Sequence, residues 1–556
     1  MKNKLYFGDN LDILREHIKD ESVDLIYLDP PFNSNANYNV LFKTPKGHES
    51  AAQIEAFEDT WHWNEQAERE FGELVRCGNT DVSEMIQALR RFLGENDMMA
   101  YLTMMANRLL ELHRVLKSTG SLYLHCDPTA SHYLKIVLDS VFGVENFQNE
   151  IIWKRTGAHG GAKRWGPIHD VLFYYSKSKN YLWNKTYENY NEKYIHDFYR
   201  FDDEKGRYRL VTLTGAGTRA GESGKPWRNV DPTTSGRHWA VPITVLQELV
   251  PDKNLSNLST QEKLDLLDSL GAIAWPQKGL VPQYKRYLDL NKGNTIQDII
   301  SDIQPLSTHA AERLGYPTQK PLALLERIIQ ASSNEGDIVL DPFCGCGTAV
   351  HAAQKLNRKW LGIDITHLAV SLIEKRMKDA FAGIVFEVEG TPKDLEGARD
   401  LALRDKYQFQ WWACSLVNAQ PYQGKKKGAD GGIDGLIYFN DDGKMPKKIV
   451  VSVKGGENVN VAMVRDLGHV VEREKAEIGL FITLSEATRP MREEAVKTGY
   501  YESPITGVAF SKVQILTIAD LMEDKARAQY PDLSAGGVTF KKAKREEKAT
   551  EQKGLF

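Results

Sequence analysis

An apolar run, Val23-Asp24-Leu25-Ile26-Tyr27-Leu28, ends directly in Asp29-Pro30-Pro31-Phe32. A carboxylate, two prolines and an aromatic ring placed together at the end of a predicted strand suit the handling of a planar amine. Prolines fix φ and lack a backbone N–H, so carbonyl oxygens nearby stay free to accept from a ligand. An exocyclic amine conjugated with a purine or pyrimidine is a poor nucleophile. Acceptors on both its hydrogens, Asp29 and the Pro30 carbonyl, favour the rehybridisation that exposes a lone pair for group transfer, and Phe32 offers a face for stacking. Such a base is out of reach inside a duplex and has to be flipped into the pocket.

A second strand pattern, Ile338-Val339-Leu340, runs into Asp341-Pro342-Phe343-Cys344-Gly345-Cys346-Gly347-Thr348, and a helical pattern follows. Strand, glycine turn and helix form the setting of a nucleotide-binding loop, where missing side chains let the backbone approach a ligand. Asp364 ends the next strand, about twenty residues beyond the loop, and can accept from ribose hydroxyls. Val350 stands where a dinucleotide fingerprint has its third glycine, and no such fingerprint occurs near the N-terminus, which disfavours a nicotinamide.

These sites need an α/β scaffold, and short apolar runs alternating with helical patterns predict one with a mostly parallel sheet. A helical stretch around Ala100 to Leu116 precedes a strand over Gly120–His125, and Glu150–Trp153 is another. From about Thr156 to Leu306 the rhythm is lost and Gly, Arg, Trp, Tyr and His accumulate, as in Gly236-Arg237-His238-Trp239, which predicts an inserted recognition region. The rhythm returns with a helix opened by Pro321, with Leu322, Leu325, Ile328 and Ile329 on one face. A helix from His367 to about Met377 closes this part.

At 556 residues the chain calls for two or three domains. Its five cysteines are an odd number without an export signal, so no disulfide framework is expected, and Cys344 and Cys346 lack the second pair that a metal site needs. No run approaches membrane-spanning length, and a cytoplasmic protein is expected. The net charge of −4 does not advertise nucleic-acid binding, but a phosphate-tracking protein needs only a local basic face. Lys425-Lys426-Lys427 and Lys541-Lys542-Ala543-Lys544-Arg545 are such clusters, each read as solvated surface or tail when taken alone.

With both motifs, their order and the insertion between them, the chain from Lys4 to about Lys378 resembles the β group of amino-methylating DNA methyltransferases. The resemblance implies a Rossmann-like S-adenosyl-L-methionine-dependent fold, double-stranded DNA as partner, and Asp29, Pro30, Pro31 and Phe32 as the catalytic motif. It also implies Phe343, Gly345, Gly347 and Thr348 beside the methionine part of the cofactor, with Asp341 at the strand end. Asp364 would hold the ribose, Asp9 would approach the adenine, and Thr318 and Lys320 would lie by the cofactor's carboxylate. Members acting on adenine N6 commonly begin the catalytic motif with Asp and those acting on cytosine N4 with Ser, so Asp29 implies adenine. The insertion would supply phosphate contacts, base-edge hydrogen bonds and stacking.

Beyond Arg399 the chain changes character: Phe409-Gln410-Trp411-Trp412 predicts a helix, and the glycine-rich stretch ending in Asp434-Gly435 leads to strands ending in Val450-Val451-Ser452-Val453-Lys454. An Asp on one strand and a Lys ending the next suit Mg²⁺-dependent phosphodiester cleavage. This part resembles restriction-endonuclease-like nucleases related to Mrr, with Asp434 and Lys454 at matching positions and Asp434 as the Mg²⁺ ligand. Ser452 replaces the usual acidic residue or glutamine, and Gln410 stands where a helix Glu is expected, so a fold kept for DNA binding without cleavage competes with an active nuclease.

The domain reading is 1–155 catalytic part, 156–306 target recognition, 307–385 cofactor-binding part, 386–397 linker, 398–530 endonuclease-like domain and 531–556 basic tail. A homodimer or a separate restriction partner fits this plan. Cytosine-N4 methylation, methylation of RNA or protein, and DNA binding without catalysis are the competing readings.

Overall fold

A computed structural model describes residues 2–546 apart from 32–36, 44–48, 59–61, 158–162, 189, 191, 277–280, 289–292, 308–309, 311, 315, 317, 423–430, 443–445, 533–538 and 541, and of 37–43 and 49–58 it gives the backbone alone. Phe32, Lys425-Lys426-Lys427 and Lys541 therefore lie outside the described residues. The chain divides into two compact units, 1–184 with 297–556, and 185–296.

The first unit is built on a nine-stranded sheet in the order Ile299–Ile300, Phe147–Lys154, His169–Ser176, Leu116–Cys126, Val23–Leu28, Ile338–Asp341, Lys359–Asp364, Lys4–Phe7, Glu387–Glu389. His169–Ser176 runs antiparallel to both neighbours and every other pair is parallel. Parallel strands are buried on both faces and so read as continuous apolar runs. Side chains alternate across Val23–Leu28: Ile26 and Leu28 join one core with the helices Asn10–His17, Asp97–Val115 and Ser131–Phe142. Leu25 and Tyr27 join the other, with Leu322–Ser332, Thr348–Lys355 and His367–Ala380.

The structure draws two boundaries differently from the sequence reading. His169–Ser176 is an inner strand of the main sheet, so the separate insertion is 185–296 instead of 156–306. Glu387–Glu389, expected as linker, is the edge strand beside Lys4–Phe7. Its charged, half-buried glutamates suit an edge strand, and they leave no apolar run in the sequence to mark it.

The same unit holds a second sheet, Gln420–Pro421, Gly435–Phe439, Lys447–Lys454, Ile478–Thr483 and Val513–Thr517 in that spatial order. Helices Leu395–Arg404 and Lys406–Leu416 pack on one face, and Val461–Arg473 and Arg489–Lys497 on the other.

In the 185–296 unit, Trp227, Trp239, Leu246 and Leu264 form the core under a four-stranded antiparallel sheet. Trp239 is buried, its indole N–H donating to the Lys225 carbonyl at 3.0 Å. Arg237 donates to the Thr214 hydroxyl and carbonyl, both at 2.8 Å, so these two residues serve the fold of the insertion. No described helix is long and apolar enough to cross a membrane.

Candidate active site

Asp29 and the glycine loop leave their strands at the same edge of the main sheet, because Val23–Leu28 and Ile338–Asp341 are parallel neighbours. Between them lies a cavity of about 600 Å³, lined by Asp29, Pro30, Pro31, Phe343, Gly345 and Asp364 among others. The sequence-predicted residues Asp9, Thr318, Lys320, Asp341 and Thr348 also line it. Gly347 stands at the left-handed N-cap of the Thr348–Lys355 helix.

The loop conformation requires its glycines. Gly345 and Gly347 have φ of +51° and +75°. A Cβ on Gly345 would come 3.0 Å from Tyr316, and one on Gly347 would come 2.8 Å from Ile373. Asp364 ties the loop down: Oδ2 accepts from the Gly345 N–H at 2.9 Å, while Oδ1 accepts from the Thr366 N–H at 2.9 Å and hydroxyl at 3.0 Å. Each carboxylate oxygen has two lone pairs, so Oδ2, accepting from the Gly345 N–H, has capacity for another donor. Burial pushes the Asp364 carboxyl up to about 6, against the lowering effect of those hydrogen bonds. Burial also raises Asp341 well above the carboxylate range; the Phe343 N–H opposes it, and the charges of Asp29 and Asp364 add to it.

Lys320 makes its ion pair with Asp29, both side chains being largely buried. Its ammonium contacts Asp29 Oδ2, and Oδ1 is buried with no hydrogen-bond partner among the described residues. A buried carboxylate oxygen without a donor is costly, and a ligand N–H would satisfy it. The segment before Lys320 is braced by Gln319, which accepts from the Leu314 N–H at 2.8 Å and donates to the Glu312 carbonyl at 2.6 Å. Thr318 is held at φ +61°, a strained position for a β-branched residue.

Beneath Asp29, Tyr27 meets His125 Nδ1 at 2.9 Å, and His125 Nε2 meets Asp170 at 3.2 Å. Burial pushes Asp170 up, but the His125 hydrogen bond, with the charges of His125, Lys320 and Arg155, outweighs it and leaves the carboxyl below its ordinary range.

Several of these partners escape sequence reasoning. Arg108, buried in the Asp97–Val115 helix, forks onto Asp9 at 2.9 and 3.0 Å and donates to Asn10, whose amide reaches the Pro342 carbonyl at 2.8 Å. Asp9 also caps the Asn10–His17 helix through the Leu11 N–H at 2.7 Å. The available signal was an arginine inside the apolar run Met104-Met105-Ala106-Asn107-Arg108-Leu109-Leu110, since a buried guanidinium needs a partner.

The tail expected to be solvated is in part docked. Thr539 exchanges hydrogen bonds with the Tyr438 backbone at 3.0 and 2.9 Å. Glu546 then reaches the other domain. Arg376 Nε donates to His351 Nδ1 at 3.1 Å, so the ring proton sits on Nε2 and donates to Glu546 at 3.0 Å. Burial and the neighbouring Arg376 lower the His351 pKa to about 4, keeping the ring neutral. Arg376 also donates to the Cys346 carbonyl at 3.0 Å and the Thr348 hydroxyl at 3.2 Å, supporting the glycine loop from behind. Arg376→Met, which leaves these acceptors unpaired, should destabilise the protein by about 2–4 kcal/mol and weaken cofactor binding. Thermal melts with and without the cofactor check this, and unchanged values in both would refute it.

In the C-terminal domain, Asp434, Ser452, Lys454 and Gln410 do converge. Asp434 accepts from Gln410 at 3.0 Å and from the Val453 N–H at 2.7 Å, with the Ser452 hydroxyl at 3.5 Å and the Lys454 ammonium at 3.9 Å. Asp434 is joined by no second carboxylate among the described residues, and one carboxylate beside an ammonium is a poor set of ligands for Mg²⁺. No cluster of three His, Cys, Asp or Glu able to hold a metal occurs among the described residues. All five cysteines are free thiols.

Residues 23–375 match the DNA methylase family of N6/N4 methyltransferases, and residues 402–509 match the Mrr restriction endonuclease catalytic domain. The chain is 34% identical over 278 residues to the type II methyltransferase M.EcaI of Enterobacter cloacae, which covers 50% of this chain and 57% of that protein. It is 26% identical over 373 residues to the Mod subunit of the type III restriction-modification enzyme StyLTI of Salmonella typhimurium, covering 64% and 50%. It thus spans about half the length of these relatives. Among solved structures it is similar to the cytosine-N4-specific PvuII DNA methyltransferase, at 12% identity and a TM-score of 0.30 over 67% of this chain and 86% of that one. The family match takes in both the Asp29 motif and the glycine loop that face the common cavity, and the chain belongs to the DNA methylase family of N6/N4 methyltransferases, extended by an Mrr-type restriction-endonuclease domain.

Proposed function

We propose that the protein methylates adenine N6 at specific sites in duplex DNA. The observation that carries this reading is the buried Asp29 carboxylate, whose Oδ1 has no hydrogen-bond partner among the described residues, in the lining of a cavity that the glycine loop and Asp364 share. S-adenosyl-L-methionine supplies an electrophilic methyl group on a sulfonium. Asp364 accepts from its ribose hydroxyls, the Gly345–Thr348 turn admits it close to the backbone, and the carboxylates around the cavity suit its positive charge. Asp29 Oδ1 and the Pro30 carbonyl accept from the amino group of the flipped base, orienting its lone pair. Lys320, paired with Asp29, sets a cation beside this carboxylate and fixes its position. When bound, the donor would supply the methyl group as its carbon–sulfur bond breaks, and Asp29 in the cavity lining would take the proton that the amine sheds.

Asp at the head of the motif supports adenine over cytosine, and the 185–296 unit is the part we assign to reading the target sequence. The test is incubation of the protein with labelled methyl donor and unmethylated genomic DNA, without Mg²⁺, followed by nucleoside analysis. N6-methyladenine is expected. N4-methylcytosine would overturn the base, and label in RNA or protein but not DNA would overturn the substrate.

A further inference from the structure

Trp165 is the most exposed large apolar side chain among the described residues, at 98%. Lys163 and Arg164 beside it are exposed too, and the three make no ion pair or ring contact with any described residue. A single exposed apolar residue is ordinary in itself; its position gives this one meaning. Leu28 pairs with Leu124, Leu124 with Phe173, and Phe173 with Glu150. This register brings Asp29, Cys126, Asp170 and Trp153 to one edge of the sheet. The 155–168 connection leaves from that edge. Its root is closed by the Arg155 and Thr156 N–H groups on the Ile168 carbonyl, at 3.0 and 3.3 Å, and by the Arg155–Asp170 ion pair at 3.2 Å. It starts three strand spacings, about 14 Å, from the strand that carries Asp29, and ends, just after Trp165, where His169–Ser176 begins, two spacings or about 10 Å away.

We infer that Trp165 is a wedge that enters the DNA base stack where the target base has been flipped out, with Lys163 and Arg164 on the flanking phosphates. The inference rests on reading the Asp29 cavity as a flipped-base site. Extruding a base leaves a gap in the stack, and an indole fills it because a base and an aromatic ring stack in any sequence. The adjacent cations match phosphates, which position a protein without reading sequence. Trp165 thus acts as a positioning residue for the reaction, holding the flipped state while Asp29 and Pro30 hold the amine.

The test uses the full chain and duplexes carrying a methylation site mapped by sequencing DNA that the protein has modified. In one duplex the target base is paired, and in the other it faces an abasic position. Trp165→Ala should slow methylation of the paired duplex by roughly 10- to 100-fold, and recover to within about 3-fold of the parent on the abasic duplex, where no pairing holds the base in. Trp165→Phe should keep most of the parent rate on both. The residue is exposed, so the melting temperature should not move. Parent-like methylation of the paired duplex by Trp165→Ala, or equal loss on both duplexes, overturns the wedge. If the parent protein transfers no methyl to any DNA, the flipped-base reading fails and the wedge falls with it, whatever the variants do.

Discussion

Asp29→Ala should lower the rate of methyl transfer by about 10³-fold, near 4 kcal/mol, while labelled donor still binds. The magnitude follows from the position of the carboxylate. Removing one preorganised acceptor or donor from a water-excluded site commonly costs about 10²–10³-fold, and Asp29 brings charge as well. The Lys320 side chain is only 8% exposed, so alanine also removes the carboxylate from a largely buried ion pair. Asp29→Asn separates these effects. It keeps a carbonyl acceptor and a similar shape but loses the charge, and we expect an intermediate loss, about 10²-fold. Single-turnover assays at saturating donor read the chemical step directly. A rate within tenfold of the parent for Asp29→Ala, in protein with an unchanged melt, would remove Asp29 from the reaction.

Asp364→Ala should weaken donor binding by about 100-fold, near 2.7 kcal/mol, with a smaller effect on the rate at saturation. One side chain holds the Gly345 and Thr366 donors and is the ribose acceptor that we propose, so its loss should both loosen the loop and remove a ligand contact. The same residue gives donor binding a pH dependence. Only the ionised carboxylate accepts from every partner, and burial sets its pKa at about 6 in the free protein. Affinity should fall as pH drops through that value. The stability effect has the opposite sign: a carboxyl whose folded pKa is raised takes up its proton more readily when folded, so this group favours the fold as pH falls from about 6 toward its ordinary value of 3.8. Titration calorimetry across that range, with melts of the free protein alongside, distinguishes lost affinity from unfolding. Affinity constant from pH 7 to 5 would remove Asp364 as the ribose acceptor.

Some of this protein is legible without coordinates because it is local in the chain. Apolar runs that end in Asp29-Pro30-Pro31 or in Asp341-Pro342-Phe343 announce strands and the loops they carry, since a strand buried on both faces is mostly apolar until it ends. Glycine marks the loop because Gly345 and Gly347 take a left-handed backbone that few residues tolerate. The parallel α/β class, the two motifs and a change of texture in the middle therefore follow from one-dimensional pattern alone. Strand order does not, and it is strand order that sets Ile338–Asp341 beside Val23–Leu28 and so turns two distant motifs into one cavity. Lys320 reaches Asp29 across 291 residues, Arg108 reaches Asp9 across 99, and Glu546 reaches His351 across 195. A lysine, an arginine or a tail glutamate has no pattern that names its partner, because ion pairs and hydrogen bonds are fixed by where packed helices and strands deliver their side chains. Composition and periodicity thus determined the elements and the chemistry available to them, and tertiary packing alone decided which charges meet, which buried carboxylate oxygen has no partner among the described residues, and which tryptophan stays in water.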